Sequence, residues 1–173
     1  MSDDHTHDGT ADAADGQVPN PGRVADVLAI QGLAVAYAGA VDDADWDRWE
    51  ALFTADAHID YRSSGGIVGT PAEVAAWMPD AMSIFSWTMH SIFTHEIHFT
   101  GADTATGRVH LLNRNGVEWK GEEEIFDVGG FYEDDYVLVD GHWRFRRRVE
   151  RTIYLDGGGF AAMLREMIAK QQS

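Results

Sequence analysis

Four long runs of β-forming residues dominate the second half of this chain, and their length restricts the fold more than any other feature. The runs cover residues 88–100, 104–115, 125–139 and 142–154. They exceed the usual strand length of about five or six residues, which favours a strongly curved sheet. Asp140-Gly141 is typical of a tight hairpin turn, and Gly129-Gly130 inside a run indicates a bulge where the sheet bends.

The first half of the chain and its last few residues show helical patterns instead. Apolar residues at helical spacing predict helices over residues 24–41, 45–53, 70–79 and 160–169, and a short strand is predicted over 57–62. Thr70 and Pro71, followed by Glu73, form a strong helix start, because they supply a cap, a proline in the first turn and a capping-box carboxylate.

Together these elements predict an α+β fold. A cone-shaped, curved antiparallel sheet would pack on the N-terminal helices, and the C-terminal helix would close the pocket that the sheet leaves. The length suits one domain, which we assign to residues 22–173. Residues 1–21 are predicted to be a disordered acidic tail, because they combine several aspartates with almost no bulky apolar group.

Composition excludes several classes of partner. A formal net charge of −16 disfavours binding to nucleic acid or to an anionic membrane surface. The sequence contains no cysteine, which excludes disulfides, thiolate metal sites and a cysteine nucleophile. We see no apolar run that approaches the roughly 20 residues of a membrane span, so a cytoplasmic protein is expected.

The sequence lacks the local motifs of several enzyme classes. It has no Gly-x-Ser-x-Gly elbow, no phosphate-binding loop and no dinucleotide fingerprint. Strand parity predicts that His90 and His98 share one face and that His95 points to the other, but eight residues of a strand hold the first two about 25 Å apart. We therefore expect neither a metal site nor a cofactor.

Asp42 and His90 are the first candidates for chemistry, although each has an ordinary alternative. Asp42 ends the first predicted helix, where a carboxylate is unfavourable, yet it can equally be a solvated loop residue. A single histidine in a strand, such as His90, is more often a structural residue than a catalyst. The residues alone do not show that these two side chains meet.

A family resemblance connects them. The segments that carry it are 41–42, 45–48, 59–63, 88–90, 130–134 and 140–145. The first three resemble fungal scytalone dehydratase, and the others look like the SnoaL-like branch of the nuclear-transport-factor-2-like superfamily. The resemblance extends over about residues 24–154 and implies a cone of helices and curved sheet with an Asp–His dyad at its base.

The resemblance also implies roles for individual residues. Asp42 takes the place of the dyad aspartate and His90 that of the histidine base. Tyr61 matches a tyrosine that holds the substrate carbonyl through water in scytalone dehydratase, and Tyr37 resembles a tyrosine of bile acid 7α-dehydratase. The implied substrate-binding residues, which would form the rest of the pocket wall, are Arg148, Asn113, Asn115 and Tyr132. Arg148 matches a pocket arginine of hexachlorocyclohexane dehydrochlorinase, and Asn115 stands where scytalone dehydratase has a second histidine.

The function implied is that of a cofactor-independent lyase. It would dehydrate a hydrophobic hydroxy-carbonyl compound, steroid-like or polyketide-like, by general base catalysis. Isomerisation, cyclisation or dehydrohalogenation with the same dyad is an alternative, because each begins with one proton abstraction. A non-catalytic small-molecule-binding module and the small subunit of a ring-hydroxylating dioxygenase are further alternatives. The family also implies a homo-oligomer, either a trimer or a dimer.

Overall fold

The computed structural model describes residues 21–171. The helices are α1 (Val24–Asp42), α2 (Trp46–Glu50), α3 (Pro71–Met82) and α4 (Gly159–Gln171), and the strands are β1 (Phe53–Asp60), β2 (Val68–Gly69), β3 (Phe85–Phe99), β4 (Thr104–Trp119), β5 (Glu122–Val139) and β6 (His142–Gly157). The predicted acidic tail, residues 1–21, lies outside the described residues except for Pro21, which begins a short 3-10 turn.

The six strands form one sheet in the order β2-β1-β6-β5-β4-β3. Neighbouring strands are antiparallel, apart from β1 and β6, which are parallel. Helix α1 packs against β3 and β6, while α4 contacts β4, β5 and β6. The predicted α+β class, with N-terminal helices on a curved sheet and a closing C-terminal helix, is confirmed.

Tight turns connect the long strands. Asp140 and Gly141 have φ of 51° and 76°, as a two-residue type I′ hairpin requires, and Lys120 and Gly121 adopt 54° and 86° in the same role between β4 and β5. The first of these turns was predicted. The second was not, because Lys is uncommon at a position with positive φ.

Two irregularities determine which side chains point into the fold. The pairing of β5 with β6 shifts between Gly129 and Gly130, which confirms the predicted bulge. The pairing of β3 with β4 shifts between Ile92 and His95. An extra residue reverses strand parity, so His95 shares the inner face with His90, whereas His98 lies on the outer face. The prediction that His90 and His98 share a face is therefore wrong.

The main core lies between the helices and the sheet. Helix α1 contributes the buried residues Ile30, Leu33, Tyr37 and Val41. At 19 residues, α1 is long and apolar enough to cross a membrane by length and composition alone, so the expectation that no such run exists is wrong. Its buried positions recur at helical spacing and pack in the core, as those of a core helix do.

Helix α2 ends earlier than its pattern predicts. Asp45 caps it by accepting a hydrogen bond from the Arg48 N–H, as expected, but the helix stops at Glu50. Phe53 instead begins β1, where its ring packs between Trp49 and Phe145. Tertiary packing of this aromatic residue thus overrides the helical spacing that links it to α2.

Helix α4 closes the open end of the sheet. Its first N–H groups, those of Gly159 and Phe160, donate hydrogen bonds to the Glu124 carboxylate at 3.1 and 2.9 Å. The Phe160 ring then packs on Phe126 and Trp119 in a second, smaller apolar cluster. A cavity remains between this cluster and the main core.

Candidate active site

The cavity has a volume of about 350 Å³ and its wall is mainly apolar. Residues from α1, α3, α4 and the concave face of the sheet line it, and those with polar side chains are Tyr37, Tyr61, Ser64, Trp77, His90, Asn113, Asn115, Tyr132 and Glu150. An apolar pocket of this size with a few convergent polar groups is typical of a small-molecule site. It contains all but two of the eight side chains that the sequence analysis singled out.

Asp42 and His90 meet at one end of this cavity. Oδ1 of Asp42 lies 2.6 Å from Nδ1 of His90, and Oδ2 accepts the backbone N–H of the same histidine at 2.9 Å. The Thr88 hydroxyl donates a third hydrogen bond to the carboxylate at 3.1 Å. The carboxylate itself does not line the cavity, but it orients the imidazole, so Nε2 is the ring atom available to a ligand.

The surroundings of Asp42 keep it ionised. Partial burial by itself would raise the pKa of this carboxyl, but the hydrogen bonds from the His90 side chain and backbone outweigh that effect and hold the pKa below its usual value. An ionised carboxylate on Nδ1 fixes the neutral histidine as the tautomer with hydrogen on Nδ1. The lone pair on Nε2 is then directed away from Asp42.

Three tyrosines form another part of the wall. The hydroxyls of Tyr37 and Tyr61 are hydrogen-bonded to each other at 2.8 Å, and the rings of Tyr37 and Tyr132 meet edge to face. Burial raises the pKa of Tyr37, and raises those of Tyr61 and Tyr132 well above the usual value. All three therefore remain neutral hydroxyls, but one of Tyr37 and Tyr61 gives its hydrogen to the other, so at most two of the three hydrogens are free for an oxygen of a ligand.

Arg148 lies behind this aromatic wall rather than in it. Its guanidinium is fully buried, stacks on the rings of Tyr37 and Tyr132, and makes a bidentate ion pair with Asp134 at 2.8 and 2.7 Å. Arg148 does not line the cavity, so this structure does not place it where the expected contact with substrate could occur. Its position supports a role in holding the tyrosines in place.

Asn113 and Asn115 both line the cavity, as their shared parity on β4 predicts. The side-chain nitrogen of Asn115 donates to the Asn113 carbonyl at 3.3 Å. The side-chain oxygen of Asn113 is buried and has no hydrogen-bond partner within residues 21–171. A hydroxyl group of a ligand could donate a hydrogen bond to this oxygen, which makes Asn113 a candidate for recognising such a group.

The sequence analysis missed the cavity residue Glu150. Its side chain is buried, and Oε2 lies 2.6 Å from the Ser64 hydroxyl. Burial raises the pKa of Glu150 to about 7, although the Ser64 hydrogen bond and the charge of Arg148 oppose the rise. Strand alternation could have identified it, because Glu150 lies two residues after Arg148 on the same strand and therefore points to the same face of the sheet.

Helix α4 closes the pocket, as predicted. Phe160, Leu164 and Met167 reach over the opening and complete the cavity wall. Within the described residues, no group of three or more His, Cys, Asp or Glu side chains is arranged to hold a metal ion. The chemistry available to this site from the described chain is therefore that of an imidazole, a carboxyl group and phenolic hydroxyls.

Comparisons with known proteins place the chain in a family. The model of the SnoaL-like domain matches residues 22–149. An uncharacterised protein of Mycobacterium tuberculosis is 33% identical over 132 residues, which cover 76% of this chain and 88% of that protein.

Solved structures show the same fold. A protein assigned as a scytalone dehydratase from Novosphingobium aromaticivorans has a TM-score of 0.68 and 24% identity, covering 78% of this chain and 88% of its own. One assigned as an aromatic ring hydroxylase from the same organism has a TM-score of 0.71 and 25% identity, and the match covers 84% of this chain and 99% of that protein. A type 2 hexachlorocyclohexane dehydrochlorinase has a TM-score of 0.70 and 21% identity, and the match covers 79% of this chain and 91% of that protein.

Proposed function

Because this chain belongs to the SnoaL-like domain family, we propose that it is a cofactor-independent lyase that removes water from a hydrophobic hydroxy-carbonyl compound. The observation that carries the proposal is the 2.6 Å contact between Asp42 and Nδ1 of His90, at the edge of a closed apolar cavity. A binding module has no need for a histidine oriented in this way by a carboxylate.

The base in the proposed reaction is His90. Its Nε2 takes a proton from the carbon next to the substrate carbonyl, and the Asp42 carboxylate stabilises the imidazolium that forms. Tyr132, and whichever of Tyr37 and Tyr61 does not donate to the other, supply hydrogen bonds for the enolate oxygen. The departing hydroxyl needs a proton in the same reaction, and the protonated His90 is one group that can return it.

The wall of the cavity supports an apolar substrate with few polar groups. Trp77, Met78, Phe85, Phe126 and Phe160 surround the polar residues, and the volume suits a ring system of steroid-like or polyketide-like size. Isomerisation or cyclisation would use the same base without losing water. The dehydrochlorinase among the solved structures shares the fold, so loss of halide is a further outcome to be tested.

A panel of β-hydroxy aryl and alicyclic ketones tests this proposal through the absorbance of the enone product. His90→Ala and Asp42→Asn should each lower kcat at least on the order of a hundredfold, because they remove the base or its orienting charge. His98→Ala is the matched control, since His98 lies on the same strand but faces outward, and it should retain wild-type activity.

Three results would count against the proposal. Activity of His90→Ala within a few-fold of wild type would exclude His90 as the base. Binding of the ketones, seen as a rise in Tm, without turnover of any member of the panel would favour a non-catalytic binding module. Conversion without loss of water would indicate an isomerase or a cyclase.

A further inference from the structure

Glu150 is a buried carboxyl group in the cavity wall, and no cation within residues 21–171 makes a direct ion pair with it. Its side chain is part of the cavity lining, and only 6% of the residue is exposed. The nearest cation on the same face of β6, Arg148, gives its hydrogen bonds to Asp134. Among the described residues, the hydrogen-bond partner of the Glu150 carboxyl is the Ser64 hydroxyl, which contacts Oε2.

The contacts of Ser64 favour a protonated Glu150. The Ser64 oxygen lies 2.6 Å from Oε2 of Glu150 and 3.0 Å from the carbonyl oxygen of Tyr61, which can only accept. A serine hydroxyl has one hydrogen to donate. Both contacts are hydrogen bonds at once only when Glu150 carries the second hydrogen and donates it to Ser64. The rise of the Glu150 pKa to about 7, caused mainly by burial, agrees with this arrangement.

Glu150 and His90 contact different parts of the same cavity. In the strand register, His90 on β3 lies opposite Asn113 on β4, whereas Glu150 on β6 lies opposite Tyr132 on β5. Two strands, β4 and β5, therefore lie between the strands that carry these side chains, which are also offset along the strand direction. Because the sheet is curved, both line the cavity. A ligand between them meets a basic nitrogen on one side and, on the other, a carboxyl group whose hydrogen can turn from Ser64 to an oxygen of the ligand.

We propose that Glu150 is a second catalytic residue, the general acid that protonates the departing oxygen while His90 removes a proton from carbon. This inference rests on the proposed function. The carbon–hydrogen electron pair forms the new carbon–carbon double bond, the carbon–oxygen bond breaks, and the Glu150 proton converts the departing hydroxyl into water. The site ends with an imidazolium at His90 and a carboxylate at Glu150, and transfer of one proton from His90 to Glu150 through solvent restores both.

Two substrates that differ only in the leaving group test the role of Glu150. One is a β-hydroxy aryl ketone, and the other is the same ketone with nitrophenoxide in place of hydroxide. Hydroxide needs a proton to depart, whereas nitrophenoxide does not. Glu150→Gln should lower the rate of water loss on the order of a hundredfold and leave nitrophenoxide release within a few-fold of wild type. Glu118→Gln, an exposed carboxylate on β4, is the matched control for both reactions.

The wild-type protein gives a second measurement that requires no variant. Water loss should decline as the pH rises above about 7, where Glu150 loses its proton, while nitrophenoxide release should continue. Equal losses on both substrates in Glu150→Gln, or no loss on either, would overturn the assignment of Glu150 while leaving His90 as the base. Failure of the wild-type protein to turn over either substrate would instead overturn the proposed function, and the role of Glu150 with it.

Discussion

The buried Glu150 carboxyl should make the stability of this protein depend on pH, and replacing it with glutamine should remove that dependence. Burial raises its pKa from 4.5 to about 7. Between these values the folded chain holds a proton that the unfolded chain has already released. The free energy of unfolding therefore falls as the pH rises from the unfolded-state pKa to the folded-state pKa.

The size of the effect follows from the gap between the two pKa values. A gap from 4.5 to about 7, at about 1.36 kcal/mol for each pH unit, corresponds to about 3.4 kcal/mol once the pH exceeds the folded-state value. About 0.8 kcal/mol of this is already lost at about pH 5, so about 2.5 kcal/mol remains to be lost between about pH 5 and pH 8.

Urea unfolding at these two pH values measures the effect. The free energy of unfolding of Glu150→Gln, relative to wild type, should increase by about 2.5 kcal/mol from about pH 5 to pH 8. Other titrating groups are common to both proteins and cancel in the difference. The exposed Glu118→Gln control should follow wild type at both pH values. If Glu150→Gln and wild type lose stability in parallel, Glu150 is not protonated in the folded protein.

Two further predictions concern the buried polar chain next to the site. Burial lowers the pKa of His95 from 6.5 to about 4, so the stability it contributes above pH 6.5 is lost as the pH falls toward 4. His95→Gln can still donate a hydrogen bond to the Tyr136 hydroxyl but does not take up a proton. Between pH 6.5 and 4 its free energy of unfolding, measured in urea titrations, should therefore fall by about 2 kcal/mol less than that of wild type. An equal fall in both proteins would contradict this. Arg148→Met leaves the Asp134 carboxylate buried without its cation and should lower the free energy of unfolding by about 3–5 kcal/mol; a loss below about 1 kcal/mol would show that the pair is not needed for stability.

Most of the fold follows from local sequence signals. The capping box at Thr70 and Glu73 and the hairpin at Asp140-Gly141 each depend on a few neighbouring residues, and both form as predicted. The helix–strand boundary at Phe53 was wrong because the partners of that ring, including Phe145, are distant in the sequence. The bulge between Ile92 and His95 left no glycine or proline signal, so strand parity failed beyond it.

The site shows the same division between local and distant information. Asn113 and Asn115 both line the cavity, and the family resemblance had singled them out. The contact between Asp42 and His90 joins the end of α1 to β3, and only the family resemblance brought these two residues together in advance. Arg148 was expected in the pocket, but its position depends on Asp134, which sequence reading did not single out.

Four ionisable groups around the site, Asp134, Arg148, His95 and Glu150, differ in how the fold compensates them. Asp134 and Arg148 neutralise each other, so their charges stabilise the aromatic wall without reaching the ligand. His95 remains neutral and donates its hydrogen to Tyr136, away from the cavity lining. Glu150 alone combines burial, a contact to one neutral hydroxyl and a place in the cavity wall. Above pH 7, where the buried carboxyl group is ionised, an apolar residue at this position would destabilise the fold less. A destabilising carboxyl group in the wall of a ligand cavity is therefore better explained by a role in chemistry than by a role in stability.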